Sequence, residues 1–147
     1  MSCSSLNNYT DDQRLQKLGL LEIKSNNSYV SKLIEDNIKN AFEIYNTENS
    51  GEKKYTVILT VNDSIEGSIL ANSIRKIEMS INYKIIENNT NAVLLSDSFS
   101  RNSLVGPINS LFARDQSEIN ARKRLGVSIS NDMIVRLIEW ASFDMET

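Results

Sequence analysis

Hydrophobic and polar positions along this chain switch between two periods, and each switch marks an expected element. Val30, Ile34, Ile38, Ala41, Phe42 and Tyr45 recur at helical spacing, which predicts a helix over 30–45 that stops in the turn-forming run NTENSGEKK. Ahead of it, Leu15, Leu18, Leu21 and Ile23 fit a short helix weakened by Gly19, or equally a helix running into a strand, LLEIK. From Tyr55 the period becomes two: Tyr55, Val57, Leu59 and Val61 point one way while Thr56, Ile58 and Thr60 point the other, so a strand with one core face is predicted. Asp63 followed by Glu66 then reads as a capping-box start, with Ile65, Ile69, Leu70, Ile74 and Ile77 as the stripe of a helix. MSINYKII alternates again, ENNTN supplies turn residues and AVLLS is a short apolar strand, so the three together predict a hairpin.

Leu104, Ile108, Leu111 and Phe112 return to helical spacing around Pro107, the single proline. Proline is tolerated in the first turn of a helix, where its missing N–H would be unpaired anyway, so Pro107 is expected near a helix start. That helix is predicted to end at Gly126, with Arg122, Lys123 and Arg124 placed against its dipole. A last helix, capped by Ser130, Asn131 or Asp132, carries Met133, Ile134, Leu137, Ile138, Ala141 and Met145 on its apolar face with Trp140 beside it. The expected fold is α+β: a small, mainly antiparallel sheet with a β-α-β-β-α core, helices on one face and additional N- and C-terminal helices. A flexible N-terminus over 1–10 would precede a single domain over 11–147. Three strands leave an open edge, to be filled by a fourth strand from residues 20–24 or by a partner chain in a homo- or heterodimer.

Composition narrows the chemistry. At 147 residues and 40% hydrophobic, the chain suits one core; its net charge of −3 gives no overall field for nucleic acid. With no His and one Cys, Cys3, the chain lacks His-based nucleophilic systems, His metal sites, zinc fingers and internal disulfides. Phosphate-cradling glycine motifs are absent, the five glycines being scattered. Asp11-Asp12, Glu35-Asp36 and Asp144 with Glu146 read as solvated charge. Neither catalysis, a cofactor nor a metal is therefore expected. No run approaches the roughly 20 apolar residues of a span, and MSCSSLNNYTDDQ lacks a basic and an apolar segment, so secretion and a membrane partner are not expected. The cytoplasm is the expected location, with the nucleus as an alternative.

Positive features point to binding. Arg101, Arg114, Arg122, Lys123 and Arg124 bunch in a net-acidic chain, so the helix around 101–125 could face an acidic partner or nucleic acid. Trp140 could be an interface anchor or a core residue, and NDSIEG could place a helix N-terminus at a ligand or simply cap it. The run from KYTVILTV through SIEGSILANSIRKIE, INYKIIENNTNAVLLSDS and RNSLVGPINSLFA resembles the small dimerisation subunit of the KEOPS complex, which makes threonylcarbamoyladenosine in tRNA. The resemblance covers residues 54–113 and includes Leu104 followed by Asn109-Ser110; it departs at Val105, where that family has an arginine, and at Pro107. It implies a non-catalytic subunit that holds an ATPase-fold catalytic subunit with its helices and dimerises by its sheet edge. The expected function is thus a protein-interaction subunit or adaptor, binding through Arg101, Leu104, Asn109, Arg114, Arg122, Lys123, Arg124 and Trp140. The alternatives are a virus- or plasmid-encoded antagonist or immunity protein and an ACT-like small-molecule-sensing dimer.

Overall fold

Strict alternation over residues 75–87 builds the centre of the molecule: Ile77, Met79, Ile81, Tyr83 and Ile85 are all buried, and the residues between them face away from the core. The structure, a computed structural model, describes residues 15–46, 52–67, 74–106 and 110–143. This strand, β3 (Arg75–Glu87), pairs antiparallel with β2 (Tyr55–Glu66) on one side and β4 (Val93–Val105) on the other. A short 3-10 turn, Gln16–Leu20, leads into β1 (Leu21–Ser25), which pairs parallel with β2, giving the order β1-β2-β3-β4. A parallel neighbour requires a crossover, and α1 (Tyr29–Phe42) supplies it. The second helix, α2 (Leu111–Ser142), follows β4, and its apolar stripe joins that of α1 and one face of the sheet in a common core. The protein is α+β, with a four-stranded mixed sheet under two helices.

Local chemistry fixes how α1 enters. Ser28 Oγ accepts from the Ser31 N–H at 3.1 Å and Ser31 Oγ accepts from the Ser28 N–H at 2.9 Å, a reciprocal capping box. Just past the end of β1, the Asn26 side chain continues its ladder: Nδ2 donates to Val61 O at 3.1 Å and Oδ1 accepts from Val61 N at 3.0 Å. The amide thus satisfies a stretch of β2 that β1 is too short to reach. On the core side of α1, the Glu35 carboxylate is 8% exposed. It accepts from Ser25 Oγ at 2.7 Å and Lys39 Nζ at 2.8 Å, which ties the end of β1 to the helix.

Several expectations change. The helix foreseen from Asp63 to Ile77 is strand at both ends, because Ile65 and Ile77, read as one helical stripe, are a directly opposed cross-strand pair; Ile69 and Leu70 lie outside the described residues. The β-α-β-β-α order therefore gives way to one helix between β1 and β2, then three strands. Residues 20–24 do approximate the fourth strand, as β1. Leu104 belongs to β4 and not to a helix; Pro107, Ile108 and Asn109 lie outside the described residues, as do 1–10 and Met145. The next helix is capped by Ser110, whose Oγ accepts from Ala113 N at 3.4 Å. Gly126 does not end it. The two predicted C-terminal helices are one helix of 32 residues, and Ser130, Asn131 and Asp132 lie in its interior.

The reason lies in packing. A Cβ on Gly126 would sit 2.9 Å from Leu33 Cδ2 and 3.2 Å from Val30 Cγ1, so the glycine lets α1 cross close over α2 rather than stopping it. Gly19 is a harsher case, since a Cβ there would lie 2.0 Å from the Tyr45 carbonyl oxygen. Gly19→Ala is expected to cost about 1–3 kcal/mol, because the obstacle is backbone. In Gly126→Ala the Leu33 and Val30 side chains can shift while helix propensity returns up to about 1 kcal/mol, so little net change is expected. Urea denaturation of both variants checks the contrast.

Glu35 gives a pH prediction. Burial raises its pKa, but hydrogen bonds from Lys39, Ser25 and Lys32 with the Lys39 charge outweigh that, and the carboxyl is held below the ordinary value. A lowered folded-state pKa stabilises above the unfolded carboxylate pKa, and that contribution disappears as pH falls through the folded value. Glu35→Gln should therefore be less stable than the native chain at neutral pH, with the gap closing on acidification; thermal melts across that range read it.

Candidate functional site

β4 pairs with β3 on one side only, and no described strand covers its other edge. The register opposes Leu95, Asp97, Phe99 and Arg101 to the core-facing Ile85, Tyr83, Ile81 and Met79, so these four residues lie on the helix side of the sheet. Two of them are charged, and α2 answers both. Arg101 Nε and Nη2 each lie 2.6 Å from Asp132 Oδ2, and Arg136 Nη1 lies 3.2 Å from Asp97 Oδ2. Asp132 and Arg136 share one helix face by their four-residue spacing, as Asp97 and Arg101 share one strand face by theirs. The signs are inverted between the two bridges: acid on the strand meets base on the helix, then base meets acid.

Aromatic groups complete the site. The Arg136 guanidinium sits 4.2 Å from the Phe99 ring centroid, and Phe99 meets Tyr83 edge-on at 6.4 Å. Tyr83, hydrogen-bonded to Arg136, raises the arginine's pKa; burial opposes this, and the charges of Asp97 and Asp132 add to it. Arg136 is thus a fixed cation. Together Phe99, Arg101, Asn102, Asp132, Val135 and Glu139 line most of a cleft of about 720 Å³ along the free edge. A more apolar hollow of about 330 Å³ adjoins it, where Leu94, Leu95, Trp140 and Phe143 meet.

The expected binding residues are not gathered on one surface. Arg101 lies in the cleft, Leu104 is exposed on the opposite face of β4, and Asn109 is outside the described residues. Arg114 is half-buried in the first turns of α2, and Lys123 and Arg124 are exposed farther along it. Arg122 Nε lies 2.8 Å from Asp63 Oδ2, an ion pair that fastens α2 to β2, so neither Arg122 nor Arg101 is an unneutralised cation. Asn62 to Glu66 of NDSIEG end β2 and Gly67 follows it, so no described helix begins there. Trp140 is a core residue, 8% exposed and edge-on to Tyr55 at 5.0 Å. The residues that sequence reasoning missed are Asp97, Phe99, Asp132 and Arg136. Their signal was two opposite-charge pairs at four-residue spacing, visible only once 93–105 is read as strand.

A second hollow, about 280 Å³ near Lys39 and Lys53, offers less. Lys53 Nζ donates to Gly19 O at 2.8 Å and Lys39 Nζ to Glu35 Oε1 at 2.8 Å, so both ammonium groups already serve the protein. Among the described residues there is no cluster of potential metal ligands, and no described helix is long and apolar enough to cross a membrane.

The cation–aromatic contact is measurable. A double-mutant cycle with Arg136→Met and Phe99→Leu should give a coupling of about 0.5–1 kcal/mol. In a cycle with Asp97→Asn the coupling of the partly exposed ion pair should stay under about 1 kcal/mol. Chemical denaturation provides both.

Neither a family model nor a curated protein matches the sequence. Solved structures do match the fold. A provisionally named lipoprotein of Caulobacter crescentus superposes with a TM-score of 0.69 at 12% identity, covering 91% of this chain and 99% of that one. A minor lipoprotein of Acinetobacter baumannii gives 0.56 at 7% identity, over 81% and 90% of the two chains. The rare lipoprotein B of Shewanella oneidensis gives 0.55 at 14% identity, over 86% and 98%. These likenesses correct the expected function: the fold resembles those of three lipoproteins, and none of the three is a tRNA-modification subunit. The adaptor, antagonist and sensor readings fall with it, as does the cytoplasmic or nuclear location inferred from the single cysteine. The helix that the KEOPS resemblance implied over 64–78 is strand at both of its ends, in β2 and β3.

Proposed function

We propose that this chain is the folded body of a lipoprotein-type envelope protein, tethered to a membrane surface through Cys3. The observation that carries the reading is the fold match to a lipoprotein over 91% of this chain, at a TM-score of 0.69. The sequence adds a fitting attachment point: its single cysteine precedes the first element of the fold. A cysteine thiol can carry a thioether-linked lipid. One acyl chain binds membranes only marginally, with a constant of about 10⁴ M⁻¹, so stable anchoring takes at least two. The folded body then acts by binding and not by catalysis, because the acids of the β4–α2 cleft, Asp97 and Asp132, are each committed to an arginine.

Intact-mass spectrometry and detergent phase partitioning of the protein from its own cells test the tether. The expected result is a mass increase located at Cys3 and recovery in the detergent phase, both lost in Cys3→Ser. An unmodified Cys3 thiol with the protein in the aqueous phase would overturn the proposal.

A further inference from the structure

We infer that the free edge of β4 pairs antiparallel with β4 of a second copy of this chain, about a two-fold axis at Phe99. The β3–β4 irregularity falls between Ile85 and Ile86, opposite Val93–Leu95, so β4 is regular from Leu95 to Val105. An antiparallel pairing centred on Phe99 sets Asp97 opposite Arg101 of the second copy and Arg101 opposite its Asp97. Directly opposed side chains lie on one face of a sheet, so both charge pairs fall on the helix side, flanking two Phe99 rings. On the other face Ser98 opposes Ser100 of the second copy, small against small. The cleft beside the edge leaves room for the second copy's Phe99 and Arg101 side chains, against the exposed Val135.

The charges choose this register. Sliding the second copy by two residues opposes Asp97 or Arg101 to Phe99 and breaks both charge pairs. Sliding it by four in one direction sets Asp97 against Asp97, and in the other Arg101 against Arg101. A parallel, in-register pairing opposes like charges at both positions. Inward charges on an edge strand commonly deter pairing. Here opposite signs placed symmetrically about Phe99 deter every neighbouring register and favour one.

Sedimentation of the full chain at 1–100 µM tests this with substitutions at Ser98 and Ser100, exposed positions whose side chains belong to no ion pair of the monomer; the Ser98 N–H, which donates to Asp97 Oδ1 at 2.8 Å, is kept in every variant. The native chain should dimerise. Ser98→Lys with Ser100→Lys places four ammonium groups at the axis and should weaken the dimer at least tenfold, whereas Ser98→Glu with Ser100→Lys should retain it through crossed charge pairs. In a Cys3→Ser background, Ser98→Cys with Ser100→Cys should yield an oxidised covalent dimer. A native chain that stays monomeric at 100 µM overturns the inference, as does equal dimerisation of the two charged variants. Circular dichroism confirms that each variant is folded. Failure of the Cys3 experiment leaves this result untouched, since the edge pairing needs no lipid.

Discussion

Everything in this molecule depends on covering one face of a four-stranded sheet with two helices, α1 over β1 and β2 and the long α2 over β3 and β4. β3 presents five buried side chains in alternation, and a sheet with such a face is stable only when a second layer removes it from water. α2 does so with Ala121, Leu125, Ile129, Met133, Leu137 and Ala141, spaced every four residues and all buried. Each four-residue step turns about 40° around a helix of 3.6 residues per turn, so the stripe winds about α2 and meets both the sheet and α1.

Polar groups then set the helix in place. Arg75 of β3 pairs with Glu118, Asp63 of β2 with Arg122, Arg101 of β4 with Asp132 and Asp97 of β4 with Arg136. The bridges of Arg122, Arg101 and Arg136 are partly exposed and individually weak, whereas Glu118 is buried. Their arrangement matters more than their strength, because charges of alternating sign at four points resist sliding or reversal of the helix over an apolar layer that would tolerate either. The same groups make the β4 edge distinctive, with Phe99, Arg136 and Tyr83 between two opposite charges. The site and the fold use the same residues, so removing a charge there acts on stability.

The opposite face of the sheet is bare. Thr60, Asn82, Lys84, Ser96 and Ser98 alternate there with the exposed Ile58, Val93 and Leu104, and no described helix lies on it. That asymmetry, with helices on one side only, leaves the ion pairs of Asp97 and Arg101 along the free edge and the cleft behind it.

Periodicity by itself determined α1, β2 over Tyr55–Val61, the hairpin of β3 and β4 and the apolar stripe of the last helix, because each is a local pattern whose period matches one backbone geometry. Composition determined the lack of His-based chemistry, and periodicity had its failures. It misread residues 63–77, since isoleucines twelve residues apart suit one helical stripe as well as a cross-strand pair. It ended a helix at Gly126, where tertiary packing of Val30 and Leu33 demanded a residue without a side chain. Arg101 was legible as a candidate, but Asp97, Asp132 and Arg136 were not. Their meeting joins positions more than thirty residues apart, and only the packing of α2 across β4 brings opposite charges together at that distance along the chain.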